Sequence, residues 1–354
     1  MLDIDTSRPV MLSGATGYLG SWITKTLLDQ GLTVHAAIRS PDDTSKTRHL
    51  TELADASDGT IRFFAADLLD EGSYAEAMAG CSVVFHAASP FTSEFDDAQK
   101  ELVDPALNGT RNVLKQVNET PGVERVVLTS SCAAVYGDNI DLKKKDKGRF
   151  TEDDWNETSS LEHRAYSYSK TVAEREAWKI AGSQDRWKLV TINPSFIMGP
   201  GIKVDLSSES FSVMKQFGDG TFKAGAPRWG IGVVDVRDVA EAHLRAGFIP
   251  EASGRHIISG TNSSFIELGE SLAEKYGDDY PLPKRALPKP LLWLVGPFVN
   301  KNMTRKAVSR NVGYPWKADN SKSVEKLGLS YRPMKTTTQE MFQQLIDAGV
   351  LKPA

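Results

Sequence analysis

Short apolar, β-branched runs recur at 10–13, 34–38, 61–65, 83–87, 126–129 and 189–192, with helical periodicity between several of them, as at 18–30 and 98–118. Runs this short and this apolar read as buried strands. Their alternation with helices points to parallel pairing, because a parallel connection needs a crossover long enough to hold a helix. The expected fold is therefore α/β: a Rossmann-type doubly wound parallel sheet with a smaller C-terminal substrate-binding lobe. Ligands in such sheets bind beyond the carboxyl ends of the strands, so the residue after each strand becomes a candidate.

Those positions are chemically distinctive. The first run leads into GATGYLG at 14–20, the second into Arg39 and the third into Asp67 and Leu68. The fourth ends in Ala87-Ala88-Ser89, the fifth in Ser130-Ser131 and the sixth in Asn193-Pro194. Glycines at 14, 17 and 20 allow a tight turn and close approach of backbone to a pyrophosphate, while the following helix offers N–H donors and a positive dipole end. Gly14, Thr16, Gly17, Tyr18, Leu19 and Gly20 are thus candidate cofactor-binding residues. An acid at the end of the second strand would hold the 2′-hydroxyl of NAD. Arg39 stands there, with Lys46 close by, and a cation suits the 2′-phosphate of NADP.

The second half is less regular. Prolines and glycines interrupt 194–232, a strand-like run at 232–236 leads into a helix at 237–247, and a further strand is expected at 256–259. From 261 onward the pattern is helix and loop, ending in a helix at 338–348. Residues 1–193, with 232–260 returning, are assigned to the nucleotide-binding domain. Residues 194–231 and 261–354 are assigned to the substrate lobe.

A tyrosine four residues before a lysine shares its helix face, and the spacing occurs at Tyr166–Lys170, Tyr280–Lys284 and Tyr331–Lys335. Prolines at 281, 283 and 333 break the second and third. The first follows Ser159 and Glu162, spaced as a capping box, and its helix is expected to run to Ala181 and stop at Gly182. Tyr168, in the same AYSYSK stretch, has Val172 at that distance. Moving a tyrosine pKa by ~3 units costs ~4 kcal/mol, and one cation about 4 Å away at an effective dielectric of 20 supplies roughly that. Tyr166 is therefore the candidate proton donor, with Lys170 lowering its pKa. A serine at the end of the fifth strand, Ser130 or Ser131 by spacing, can hold a carbonyl oxygen. Asn108 is a weaker candidate for a proton relay.

The blocks GATGYLG, FFAADLLD, VFHAASP, NGTRNVL, VVLTSSCAAV, YSYSKTVAEREAW, INPSFIMGP and VVDVRDVAEAH appear in order along nearly the whole chain. In them the sequence resembles the extended short-chain dehydrogenase/reductases, in the branch of dihydroflavonol reductases, cinnamoyl-CoA reductases and microbial aldehyde or ketone reductases. The resemblance implies an NADPH-dependent carbonyl reductase with Ser131, Tyr166 and Lys170 as its catalytic set. It implies Arg39 and Lys46 at the NADP phosphate, Asp67 and Leu68 at the adenine, and Ala87 and Pro194 near the nicotinamide and its ribose. Where plant flavonoid reductases carry an asparagine and a glutamine against the substrate, this chain has Tyr136 and Gly232. In the block around the tyrosine of cinnamoyl-CoA reductases, Arg164-Ala165 replace Asn-Trp and Ser167 replaces a cysteine. The resemblance therefore does not extend to flavonoid or CoA-thioester recognition. Nucleotide-sugar epimerases and hydroxysteroid dehydrogenases share the tyrosine and lysine; Arg39 speaks against an NAD-retaining epimerase. A non-catalytic NADPH sensor would be expected to lack the tyrosine.

With 354 residues and a net charge of −4, and without a basic stripe interleaved with aromatics, the chain is not expected to bind nucleic acid. Two cysteines, and a first decapeptide without an apolar core, point to a reducing, cytoplasmic setting. Six scattered histidines suggest no metal site. The apolar stretch 291–299 is too short to span a bilayer and reads as buried or pocket-lining. Phe91, Tyr136, Trp229 and 291–298 are the guesses for an apolar substrate pocket. The expected partner is a small carbonyl compound, and the expected state a monomer or homodimer.

Overall fold

The computed structural model describes residue 2 and residues 4–89 and 95–353; Phe91 lies outside them. In chain order the strands are β1 (Val10–Ser13), β2 (Thr33–Ile38), β3 (Thr60–Ala65), β4 (Val83–His86), β5 (Arg125–Thr129), β6 (Lys188–Pro194), β7 (Phe196–Met198), β8 (Ala226–Pro227), β9 (Gly230–Asp235), β10 (Gly254–Ile258), β11 (Thr261–Ser264) and β12 (Ala286–Leu287). The helices are α1 (Tyr18–Leu28), α2 (Thr44–Asp55), α3 (Ala75–Met78), α4 (Asp104–Glu119), α5 (Ala165–Ala181), α6 (Glu209–Gly218), α7 (Val236–Phe248), α8 (Phe265–Tyr276), α9 (Lys289–Val299), α10 (Arg305–Asn311), α11 (Ser321–Leu327) and α12 (Met334–Asp347).

Seven strands form the central sheet in the order β10-β6-β5-β4-β1-β2-β3, every pair parallel. The six runs expected at the start of the chain are its first six strands. Alternate residues of β1 explain why they are apolar throughout. Val10 and Leu12 join one core with Leu27 of α1 and Val239 of α7, whereas Met11 joins the opposite one with Met78, Val113 of α4 and Ala177 of α5. The inner strands are covered on both sides, as period-two alternation requires, while edge strand β3 is partly exposed. From β1 the chain builds outward to β3, then returns to β4 on the other side. That reversal opens a crevice at the carboxyl ends of β1 and β4.

A second core of Met198, Phe211, Phe217, Leu268, Met341 and Phe342 lies under the C-terminal elements. Beside it stand a three-stranded sheet, β11-β9-β7, and a two-stranded one, β12-β8. The segment at 232–260 divides between the two cores: β9 pairs with β7 and β11, while α7 packs on the large sheet and β10 extends it. The apolar run at 291–298 departs from the buried reading. In α9 only Leu292 and Gly296 are buried, and Leu291, Trp293, Leu294, Val295 and Phe298 face outward. Among the described residues no helix is long and apolar enough to cross a membrane, and Cys81 and Cys132 are buried free thiols.

Candidate active site

The glycine loop is shaped by close contacts. Gly14 adopts φ 77, and a Cβ there would lie 2.8 Å from the Ala88 nitrogen, so the turns after β1 and β4 touch. A Cβ at Gly20 would fall 1.9 Å from the Gly14 carbonyl oxygen, so α1 starts hard against the loop. Gly17 differs: it is exposed, and a Cβ there would approach only the Gly14 oxygen, at 3.5 Å. The protein's own packing needs glycine at 14 and 20. The space at Gly17 is left for something else. Gly17 caps α1 without a side-chain hydrogen bond, and no acid stands in the first turn, so the helix N-terminus presents unclaimed N–H groups and a positive dipole end. This cradle fits a dinucleotide pyrophosphate. Tyr18 contributes only backbone there, because its hydroxyl donates to the Gly199 carbonyl at 2.6 Å and its ring packs edge-on against Phe211.

Other predicted cofactor residues line the same edge of the sheet. Arg39 and Lys46 are exposed; Lys46 lies 3.4 Å from Asp43, while Arg39 makes no ion pair among the described residues. Asp67 is half-buried and accepts from the Leu69 N–H at 2.8 Å. The Leu68 carbonyl accepts from Asn112 at 2.8 Å. Ala87 follows β4, where the next N–H, Ala88, donates to Ser13 Oγ at 3.1 Å. Pro194 is buried at the end of β6.

Tyr166 and Lys170 lie one turn apart near the start of α5, both half-buried, while Tyr280 and Tyr331 lie outside helices, as their prolines predict. The Lys170 ammonium sits 5.7 Å from the Tyr166 ring centroid and donates to Ser89 Oγ at 2.8 Å. The Ser131 hydroxyl lies beside that of Tyr166. Burial pushes the Tyr166 phenol up to about 12, and Ser131 is the group that pulls it back. Burial also pulls Lys170 down to about 8, with the Glu174 charge holding it up. Lys170 is not among the groups that shift the phenol; loss of water around each group dominates.

The two serines after β5 part company. Ser131 faces Tyr166, and its Oγ also accepts from the Ala133 N–H at 3.1 Å. Ser130 points the other way and donates to Glu174 Oε2 at 2.5 Å. Glu174, four residues beyond Lys170 and only 1% exposed, also accepts from Asn193 at 2.7 Å, Arg255 at 2.6 Å, Trp178 at 3.2 Å and Thr191 at 3.3 Å. Sequence reasoning missed this residue, although the Lys170–Glu174 spacing was visible. A small cavity of mixed lining lies behind the lysine, with His86, Ser89, Ser130, Lys170 and Glu174 among Leu68, Ala106 and Leu128. Asn108 does not line it; it is exposed on α4, one residue before the cavity-lining Gly109.

The segment before α5 also differs from expectation. Ser159 caps no helix; its N–H donates to Asn156 Oδ1, and Ser160 Oγ bonds Glu162 at 2.8 Å. The helix begins at Ala165, after Arg164 in the left-handed region at φ 56, the one non-glycine residue there among those described. That conformation costs about 1–2 kcal/mol. Asn156 ties the loop to the strand end by donating to the Ala133 carbonyl at 2.8 Å, and buried His163 bonds Asp138 at 2.9 Å. These ties set Tyr166 beside Ser131.

Residues 10–257 match the family described as "NAD dependent epimerase/dehydratase family". The chain belongs to that family. Within it the sequence stands with the extended short-chain reductases. It is 34% identical over 340 residues to "Cinnamoyl-CoA reductase CAD2" of Medicago truncatula, covering 95% of each chain. It is 36% identical over 281 residues to "Tetraketide alpha-pyrone reductase 1" of Arabidopsis thaliana, covering 78% of this chain and 83% of that one. The crystal structure of Gre2 from Candida albicans in complex with NADPH superposes with a TM-score of 0.75 at 27% identity, over 96% and 99% of the two chains. The extended short-chain resemblance read from the motifs is therefore established, and with it the nature of the chain as a nicotinamide-dependent oxidoreductase.

The residues guessed for a substrate pocket lie among aromatic rings. Tyr136 packs against Phe150 and Trp316 at centroid distances of 5.0 and 5.9 Å. A Cβ at Gly232 would lie 2.2 Å from the Trp316 ring, so that indole fills the place where a glutamine would project. Trp229 is half-buried and packs with Leu292, Val308 and Val312. Tyr136 and Trp229 both flank the Arg164 guanidinium, and Leu292 of α9 packs in the cluster with Trp229.

Proposed function

We propose that this protein is an NADPH-dependent carbonyl reductase that converts an aldehyde or ketone with an apolar or aromatic body to an alcohol. The observation that carries the reading is the placing of Ser131 and Lys170 beside Tyr166 at the carboxyl ends of the sheet strands. Bound NADPH supplies the hydride that reduces the carbonyl carbon. Gly14, Thr16, Gly17, Tyr18, Leu19 and Gly20 hold its pyrophosphate through backbone N–H groups. Arg39 and Lys46 take the 2′-phosphate, Asp67 and Leu68 the adenine, and Ala87 and Pro194 the nicotinamide side. In this reading residues 194–231 and 261–354, together with β9, form the substrate lobe.

The chain's own residues handle the proton. A phenol raised to about 12 stays protonated at neutral pH, so Tyr166 is loaded as an acid. It gives that proton to the carbonyl oxygen as negative charge develops there, and Ser131 donates a second hydrogen bond to the same oxygen. Lys170, at about 8, is largely cationic at pH 7 and stabilises the tyrosinate left behind. Kinship with reductases at 34–36% identity supports the reaction class.

The reading is tested by oxidation of NADPH and NADH across aromatic aldehydes, α-diketones, β-ketoesters, a flavanonol and a cinnamoyl-CoA thioester. Turnover is expected on simple carbonyls with NADPH preferred. Arg39→Asp should weaken NADPH roughly ten- to hundredfold and NADH far less. Equal loss for both cofactors would remove the phosphate role of Arg39, and no turnover on any carbonyl would remove the reductase reading.

A further inference from the structure

We propose that Arg164 is a specificity residue that selects substrates bearing a carboxylate on a flat, conjugated or aromatic body. Its guanidinium lies 5.7 Å from the Tyr136 ring centroid and 5.8 Å from that of Trp229, two residues before Tyr166. Nη1 donates to Asn311 Oδ1 at 3.1 Å, and the guanidinium lies over the Tyr136 ring. Both partners are neutral. Among the described residues no carboxylate pairs with this half-buried cation.

The nearby acids are already engaged. Asp138 accepts from Arg310 at 2.5 Å, Asn311 at 2.7 Å and His163 at 2.9 Å. Asp141 accepts from Thr158 at 2.5 Å and Arg310 at 3.1 Å. Asn311, which holds Arg164, is itself saturated by Asn139, Asp138 and Ala307, so it cannot swing to accept more. The guanidinium has five N–H donors in a planar fork, and two interactions with neutral groups leave most of the fork and all of its charge unanswered. A carboxylate answers that need bidentately, and the flanking rings suit a flat body. The backbone supports a specific purpose for the side chain: Arg164 keeps a left-handed φ of 56 that glycine would adopt without strain.

This inference rests on reading the cleft as the carbonyl site, and its test is separable from that reading. Calorimetric titration of the full chain with 2-naphthoate and 2-naphthamide, with and without NADPH, compares the charged and neutral forms of one body. Wild type is expected to bind the naphthoate about tenfold or more tightly than the amide. Arg164→Gln should erase the difference. Arg164→Gly should erase it too, with a thermal midpoint no lower than wild type because the backbone strain is relieved. Equal binding of the two probes by wild type, undetectable binding of both, or a difference that survives in Arg164→Gly would each overturn the assignment. NADPH turnover on uncharged aldehydes is scored separately. Its absence beside charge-selective binding would remove the reductase reading and leave the role of Arg164 standing.

Discussion

One row of α5 carries Tyr166, Lys170 and Glu174 at four-residue spacing, and its two ends contrast sharply. At the outer end Tyr166 and Lys170 are half-buried, Tyr166 beside Ser131 and Lys170 donating to Ser89 Oγ. At the inner end Glu174 is sealed and receives hydrogen bonds from Ser130, Asn193, Arg255, Trp178 and Thr191. Those bonds fix the carboxylate in place behind the lysine. The two ends of the row thus differ in burial and in the polar groups around them. The adjacent serines repeat the contrast, because strand alternation sends Ser131 to the open end and Ser130 to the sealed one.

The largest expected effect breaks the outer end alone. Tyr166→Phe should lower kcat by about a hundredfold to ten-thousandfold and leave NADPH affinity, read by titration, within about twofold of wild type. Tyr168→Phe, with no lysine on its face, should stay close to wild type. A dead Tyr168→Phe beside an active Tyr166→Phe would reverse the assignment within AYSYSK.

Next comes the sealed end. Glu174→Gln leaves Arg255, whose side chain is 8% exposed, without its carboxylate, and stranding one partner of a buried pair costs about 3–5 kcal/mol. Denaturant unfolding should show that loss. A change below about 0.5 kcal/mol would mean that the neutral partners of Arg255, the carbonyls of Glu152, Asp154 and Ala134, suffice without the acid.

The same contrast governs what the sequence makes legible. The strands were readable because residues buried on two faces must be apolar. The glycine loop was readable because Gly14 and Gly20 answer to contacts within a few residues of β1 or at the neighbouring strand end. Tyr166 and Lys170 were readable as a spacing, with proline removing the decoys. Glu174 was not, since its meaning depends on Arg255, 81 residues away, and on Asn193 and Thr191 from β6. The start of α5 failed for a similar reason: Ser159 was drawn to Asn156, which is itself tied to the end of β5. The stretch 291–298 misled because apolar composition alone does not say which side of a helix finds a partner.

The smallest expected effect concerns pH and tests the outer end again. Lys170 has a folded pKa of about 8, below its ordinary 10.5, so below pH 8 the fold holds an ammonium at a cost. Between pH 8 and 10.5 the folded lysine is neutral while the unfolded one still binds a proton, so stability rises with pH there and the cost fades. Lys170→Met removes that cost. The variant should be inactive yet more stable than wild type by about 1–2 kcal/mol at pH 7, a figure already reduced for partial exposure. Its advantage should shrink as pH climbs from 8 to 10.5. Tyr166, raised to about 12, makes the fold lose stability above pH 10, where the unfolded phenol ionises first, but that loss is common to both proteins and cancels in the difference. Equilibrium unfolding of the pair from pH 6 to 10.5 checks the prediction. A variant less stable at pH 7, or an advantage constant across the range, would show that the lysine is not held against its charge.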